Sequence, residues 1–252
     1  MMAVLAIATV SVRETLRRKV QVNLLVFGTL LVLASYLIST LTLGEQHRII
    51  SDVGLSTMHL IGTLLAVFLG SSLVAGDVER RVLYPVVAKP ATRSQYLLGR
   101  YLGLSCALIL NLAVMAAALS GALAFEAGAK ALDTTLLASF TMMAVQFLVV
   151  AAVAVFFSSI TSTTLAAIFT LSIAIAGQLT NEMRNLWRGG GAWLARGLWY
   201  ALPNLGVLTT NEAVIYHRPL PASTWIAGGY GLLYAAATLA LACLAFEQRD
   251  FR

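Results

Sequence analysis

Long apolar stretches without charged residues alternate along the chain with short polar segments. A helix needs about 20 mostly apolar residues to cross a bilayer. One charge-free run, 134–181, is almost long enough for two such helices, and the polar residues 158–164 in its middle indicate a tight turn. The runs together predict six transmembrane helices, at about 20–43, 55–75, 98–125, 134–157, 162–181 and 223–246.

The composition agrees with a membrane protein. Of the 252 residues, 59% are apolar and 11% are charged, and the mean hydropathy is +0.84, whereas soluble domains have roughly 45–50% apolar and about 25% charged residues. Cys106 and Cys243 both lie in apolar runs and are interpreted as small apolar side chains. We predict an all-α integral membrane protein with a single transmembrane domain, 1–252.

The distribution of basic residues predicts the orientation. By the positive-inside rule, short loops rich in Lys and Arg stay in the cytoplasm. The only Lys and Arg residues in the loops after spans 1 and 3 are Arg48 and Lys130. The long loop 182–222 has several arginines, but they are far apart in the sequence. Both termini are therefore predicted in the cytoplasm, in a multi-pass protein of the inner membrane. The basic residues behind this prediction precede span 1 (Arg13, Arg17, Arg18, Lys19) or follow span 2 (Arg80, Arg81, Lys89, Arg93).

The net charge of +6 follows mostly from this sidedness and favours contact with anionic lipid headgroups. The basic residues flank spans and form no continuous stripe, so we expect no nucleic-acid partner.

Two segments are more than simple connectors. Residues 1–19 repeat apolar positions at helical spacing, which is typical of an amphipathic helix on the cytoplasmic membrane surface or of a helical extension of span 1. The outer loop 182–222 is rich in aromatic residues around three glycines. It is interpreted as short interfacial or re-entrant helices, or as an aromatic anchor at the headgroup level. The aromatic residues are Trp187, Trp193, Trp199 and Tyr200.

The loop 76–96 between spans 2 and 3 combines mixed charge with an apolar core. This pattern suits a short amphipathic helix parallel to the membrane, ended by Pro90, with Thr92 or Ser94 as the cap of span 3. Such an element offers charged and apolar contacts to a soluble partner. The alternative is a solvated charged loop.

The same loop closely resembles the permease subunits of ABC exporters of the type-2 class, which include the permease of the copper-enzyme maturation system. The ending 246–251 is similar to the family's usual Phe-x-x-Arg-Asp close, and the six-span layout agrees. Two departures are Arg81-Val82 in place of Gly-Thr, and Pro85, which shortens or kinks a helix. The loop residues that match are Glu79, Arg80, Leu83, Lys89, Pro90, Thr92, Arg93, Tyr96, Leu97, Leu98, Gly99 and Arg100.

The resemblance implies a mechanism. Two permease copies form the pathway, and two separate ATPase subunits, which hold the ATP and Mg, dock under residues 77–93. The chain itself is expected to bind no cofactor or metal and to have no catalytic residues, in agreement with the absence of a G-x-x-x-x-G-K-[S/T] phosphate loop from the sequence. The expected coupling residues are Glu79, Arg80, Arg81, Leu83, Lys89, Pro90 and Arg93.

Small residues at four-residue spacing predict where helices approach closely. Span 5 is expected to contact span 1 of a second copy, and packing within one subunit is the alternative. Span 2 and the start of span 3 have similar faces. The residues on the span 5 face are Ser162, Ala166, Thr170 and Ala174.

Two other classes of function are alternatives. An intramembrane enzyme needs clustered ionisable groups within the spans, where only His59 is found. An ion-coupled secondary transporter typically buries carboxylates as relays, and no Asp or Glu lies in a predicted span core. Polar span residues either line a pathway or bond between helices: Asn23, Asn111, Gln146 and Gln178.

Overall fold

The protein is all-helical in the part of the chain that the structure describes. The computed structural model describes residues 2–40, 45–79, 92–127, 133–186, 202–216 and 218–248, and these ranges contain no strand. A 3₁₀ turn, Gly206–Leu208, precedes the shortest helix. The α-helices of these ranges are α1 (Met2–Leu16), α2 (Lys19–Ser39), α3 (Gln46–Glu79), α4 (Arg93–Ala127), α5 (Thr134–Ile160), α6 (Thr163–Leu186), α7 (Asn211–Ile215) and α8 (Ser223–Glu247).

Six of these helices (α2 to α6 and α8) are long and apolar enough to cross a membrane. The prediction of an all-α protein with six transmembrane helices is confirmed. The polar turn after α5 is confirmed too, since only Thr161 and Ser162 separate α5 from α6. Helices α3 and α4 extend well beyond the predicted spans 55–75 and 98–125. At the end where α3 stops and α4 starts, Asp77 of α3 is paired with Arg100 of α4.

Helix α1 is separate from α2. Arg17 and Arg18 interrupt the helical hydrogen bonding, and Arg18 has an extended backbone with φ −69° and ψ 124°. The interpretation of residues 1–19 as a continuous extension of span 1 is therefore wrong. Their position on the membrane surface stays a prediction.

Helices α3 and α5 lie at the centre of the bundle, and α2 is the most exposed of the six long helices. We call the end of the bundle where α3 ends and α4 begins the proximal end. The Ser158 hydroxyl, near the end of α5, donates to the Ser71 carbonyl (2.7 Å) and accepts from the Ala75 amide (2.9 Å). The end of α8 also lies here, since Arg93 Nη1 donates to the Glu247 carbonyl at 3.2 Å.

The opposite, distal end holds the start of α3 and residues 202–216 and 218–222. Arg48 Nη2 of α3 donates to the Tyr216 hydroxyl at 2.8 Å. The described part of the loop 182–222 contains two short helical elements, the 3₁₀ turn and α7. Their position as interfacial or re-entrant helices stays a prediction. The four aromatic residues of that prediction, Trp187, Trp193, Trp199 and Tyr200, lie outside the described residues.

A capping box begins α4. The Thr92 hydroxyl accepts from the Gln95 amide, and the Gln95 side chain accepts from the Thr92 amide, both at 3.3 Å. Reciprocal bonds of this kind satisfy two backbone donors that a helix start leaves open. The prediction that Thr92 or Ser94 caps this helix is confirmed for Thr92.

Candidate coupling site at the proximal end

Two carboxylates and two guanidinium groups meet at the proximal end. Arg100 of α4 forms ion pairs with Asp77 of α3, through Nη2, and with Glu14 of α1, through Nη1 at 2.5 Å. Arg18 Nη2 lies 2.9 Å from the second Glu14 oxygen. We call Glu14, Arg18, Asp77 and Arg100 the proximal ion cluster. Its formal charges cancel, and it joins three helices.

The centre of the cluster is buried. Asp77 and Arg100 are 5% and 6% exposed. The Tyr96 hydroxyl donates to Asp77, and the Ser11 hydroxyl accepts from Arg100 at 3.3 Å. Removing one member of a buried ion pair is strongly destabilising, because the other charge stays buried without a partner. The cluster therefore resists any separation of α1, α3 and α4.

Glu14 is ionised at neutral pH. Burial alone raises its pKa, but the hydrogen bonds and positive charges of Arg100 and Arg18 outweigh burial and hold the pKa of this carboxyl below its ordinary value of 4.5. Glu14 and Arg100 therefore form an ion pair between α1 and α4 at pH values around neutral.

Helix α1 packs closely against two glycines of α4 beside the proximal ion cluster. A Cβ at Gly99 would lie 2.9 Å from the Ile7 side chain, and one at Gly103 would collide with Ser11 and lie 2.8 Å from the Ala8 carbonyl. Only glycine leaves room for this close approach. The small-residue face at the start of span 3 thus packs against α1 of the same chain.

Most of the expected coupling residues fall outside the described residues, namely Arg80, Arg81, Leu83, Lys89 and Pro90. Glu79 is the last residue of α3, and its side chain is also outside the described part. Arg93 is the first residue of α4. The coupling role of these residues stays a prediction. What the structure describes is the pair of helices that lead into and out of the segment 80–91.

A second polar cluster lies inside the bundle, between α3, α5 and α6. The side-chain nitrogens of Gln146 and Gln178 lie 2.6 Å and 2.9 Å from Nε2 of His59. A ring nitrogen accepts such bonds only when it carries no proton. Elsewhere, Gln21 Nε2 donates to Asn111 Oδ1 at 3.3 Å.

Three of the four polar span residues therefore bond between helices, as one of the two interpretations had it. Asn23 of α2 is exposed instead. The described residues contain no group of three or more His, Cys, Asp or Glu side chains arranged to hold a metal ion.

The small-residue face of α6 is mostly internal. Ala166, Thr170 and Ala174 are at most 3% exposed within a single chain, whereas Ser162 is exposed. The burial of these three residues agrees with the alternative prediction, in which this face packs within one subunit. Contact of span 5 with span 1 of a second copy stays a prediction.

Asp77 and Glu14 are the functional candidates that the sequence interpretation missed. Asp77 stands directly after the charge-free run 53–76, which marks it only as the end of a span. Its pairing with Arg100 bridges 23 residues, and that of Glu14 with Arg100 bridges 86. The available signal was the position of two of these charges at the edges of apolar runs, with Asp77 directly after 53–76 and Arg100 directly before 101–125.

A comparison with curated proteins gives no match. A family model, described as ABC-2 family transporter protein, matches residues 2–251, nearly the whole chain. The permeases of this family are transport subunits and work with an ATPase subunit. An ion-coupled secondary transporter and an intramembrane enzyme are thus not supported, and the copper-enzyme maturation subgroup stays a prediction. The chain belongs to the ABC-2 transporter family and is a multi-pass membrane permease of an ABC transporter.

Proposed function

We propose that this permease forms, as a dimer, the substrate pathway of an ATP-driven exporter and is coupled through residues 77–93 to a separate ATPase subunit. The observation that carries the proposal is the family match over residues 2–251. Two ATPase subunits bind ATP and Mg and hydrolyse the nucleotide. The permease converts their closure into opening of the pathway towards the outside.

The proximal ion cluster supports a route for this coupling. Helices α3 and α4 enter and leave the segment that docks on the ATPase, and both are tied to α1 through Arg100. A push on the segment then moves three helices together. In this proposal the proximal end faces the cytoplasm, in agreement with the basic residues that flank it.

The first test is affinity purification. A tagged permease, expressed with its genomic neighbours and extracted in mild detergent, is analysed by mass spectrometry, light scattering and an ATPase assay. We expect a subunit with a phosphate loop at about one per permease, as ABC permeases pair with ATPase chains, and a mass that fits two copies of each. A permease that purifies alone without ATPase activity would contradict the proposal.

The second test addresses the coupling residues. Glu79→Ala and Arg93→Ala are expected to reduce permease-dependent stimulation of the ATPase about tenfold, the effect of losing one hydrogen bond to a charged group. The melting temperature of the permease should fall little, because the bond from Arg93 to the Glu247 carbonyl is exposed to solvent. Stimulated ATPase activity in proteoliposomes is the measurement.

Two further variants control this experiment. Arg93→Lys keeps the positive charge and should restore most of the stimulation. Arg13→Ala removes an exposed charge of α1 that is outside the coupling segment and should have no effect. Unchanged stimulation in both Glu79→Ala and Arg93→Ala would refute the role of the segment.

A further inference from the structure

A pocket of about 570 Å³ lies at the distal end, between Gln178 of α6, the segment 206–213, residues 218–221 and the start of α8. Sites for small ligands commonly occupy roughly 300–1,000 Å³. Its lining combines two charged side chains, Glu212 and Arg218, with hydroxyl groups and with apolar residues such as Leu220. The pocket is separate from the proximal ion cluster.

Both charges of the pocket are available to a ligand. Glu212 and Arg218 are exposed, and within the described ranges neither forms an ion pair. The lining therefore offers both a carboxylate and a guanidinium group. A ligand with one positive and one negative group satisfies both, whereas a ligand of a single charge is repelled by one of them.

The guanidinium group is held in position. Arg218 lies over the ring of Tyr216, 5.4 Å from its centroid, and its backbone amide donates to the Ala213 carbonyl at 2.9 Å. Tyr216 is itself fixed by Arg48, which lies 4.8 Å from the same ring and donates to its hydroxyl. These contacts orient the site before a ligand arrives, which lowers the entropic cost of binding.

Part of the pocket lining is anchored in the bundle. Gln178 accepts from the Thr209 hydroxyl at 3.3 Å, and its nitrogen donates to His59 inside the bundle. Both Gln178 and Thr209 line the pocket. A ligand here therefore rests on a fixed polar surface.

The surroundings of the pocket favour an amphiphile. Trp225 and Ile226, at the start of α8, directly follow Thr224 of the pocket wall and are 59% and 75% exposed. Tryptophan is enriched where a membrane protein meets the headgroup level. Apolar side chains thus lie beside a site for opposite charges. A lipid has the same arrangement, with a charged headgroup next to apolar acyl chains.

We propose that the distal pocket binds the headgroup of a zwitterionic lipid, with the phosphate at Arg218 and the ammonium group at Glu212. We assign this lipid to the outer leaflet, because the proposed function places the distal end outside the cytoplasm. This assignment rests on the proposed function. Binding itself does not depend on an ATPase. A free compound with the same headgroup, such as glycerophosphoethanolamine, shares this chemistry.

The test uses the purified permease in detergent without an ATPase. Native mass spectrometry compares the binding of phosphatidylethanolamine and phosphatidylglycerol with identical acyl chains, and calorimetry measures glycerophosphoethanolamine. We expect a preference of about tenfold for phosphatidylethanolamine, since only its ammonium group bonds with a charged acceptor. Glu212→Gln should abolish the preference, and Arg218→Gln should weaken binding of both lipids.

Matched controls separate the pocket from general charge effects. Asp52→Asn removes an exposed carboxylate of α3, and Arg13→Gln removes an exposed charge of α1; neither residue lines the pocket, so both variants should bind like the wild type. Binding of glycerophosphoethanolamine equal to that of the lipid identifies a free zwitterion as sufficient, and binding of the lipid alone identifies the acyl chains as part of the ligand.

Equal binding of the two lipids, or a preference that survives Glu212→Gln, would overturn the proposal. Loss of ATPase coupling would leave this result untouched, so the two proposals fail separately.

Discussion

Arg100 contacts two carboxylates on two other helices while it is almost fully buried. Arg100→Gln leaves Asp77 without its charged partner and weakens the hold on Glu14. Loss of one partner of a buried ion pair costs about 3–5 kcal/mol. We expect a fall of this size in the free energy of unfolding, measured by denaturant titration of the permease in detergent.

The control for this prediction is the double variant Asp77→Asn, Arg100→Gln. It removes both buried charges, so it should be clearly more stable than Arg100→Gln alone. If the single variant unfolds like the wild type, the buried pair contributes nothing to the stability of the proximal end.

The sequence alone did not predict which individual side chains form ion pairs with one another. The polar span residues were recognised, and bonds between helices were one of the two interpretations offered for Gln146 and Gln178. The proximal ion cluster was missed because a charge next to an apolar run marks a helix end when it is considered alone. Which charges form a pair depends on how the helices pack, and a single sequence does not show this.

At the scale of the elements, the contact between α1 and α4 depends on small side chains. Gly103→Ala would place a methyl group against Ser11 and the Ala8 carbonyl, and backbone cannot yield as a flexible side chain can. Overpacking of this kind costs about 1–3 kcal/mol. We expect faster hydrogen exchange in residues 4–16, by roughly tenfold, measured by mass spectrometry.

Gly121→Ala is the matched control, since a methyl group there meets no atom within 4 Å. Both substitutions make the same chemical change in the same helix. Equal exchange in the two variants would show that α1 does not depend on the groove at Gly99 and Gly103.

The lengths of the elements show where pattern reasoning works and where it ends. Charge-free runs identified all six long helices, because charged side chains are strongly disfavoured in the bilayer core and a spanning helix is therefore mostly apolar. The same rule ended span 2 at 75 and began span 3 at 98, although α3 continues to Glu79 and α4 begins at Arg93. A buried ion pair allows a helix to carry charges past the limit that a count of apolar residues sets.

At the scale of the whole molecule, the proposed orientation is open to a direct test. Ser223→Cys and Gln248→Cys place exposed thiols near the two ends of α8, in a background with Cys106 and Cys243 replaced by Ser. Since α8 crosses the membrane, we expect a membrane-impermeant thiol reagent to label position 223 from outside and position 248 from the cytoplasm.

Intact cells and inverted vesicles give the two sides of this comparison. Labelling of both positions from one side would contradict the crossing of α8. Labelling in the reverse sense would place the proximal end outside, where no ATPase can dock, and would refute the proposed coupling.

The proximal ion cluster also has a consequence for biosynthesis. A chain that is made from its N-terminus presents Glu14 first, then Asp77, and Arg100 last. Inserting an arginine in a transmembrane helix without a partner is unfavourable, most strongly near the helix centre. Because both carboxylates are synthesised before it, Arg100 enters the bilayer when its counter-charges are already present. The order of these three residues along the chain thus lowers the barrier to inserting α4, and a chain with Arg100 ahead of its acidic partners would lack this advantage.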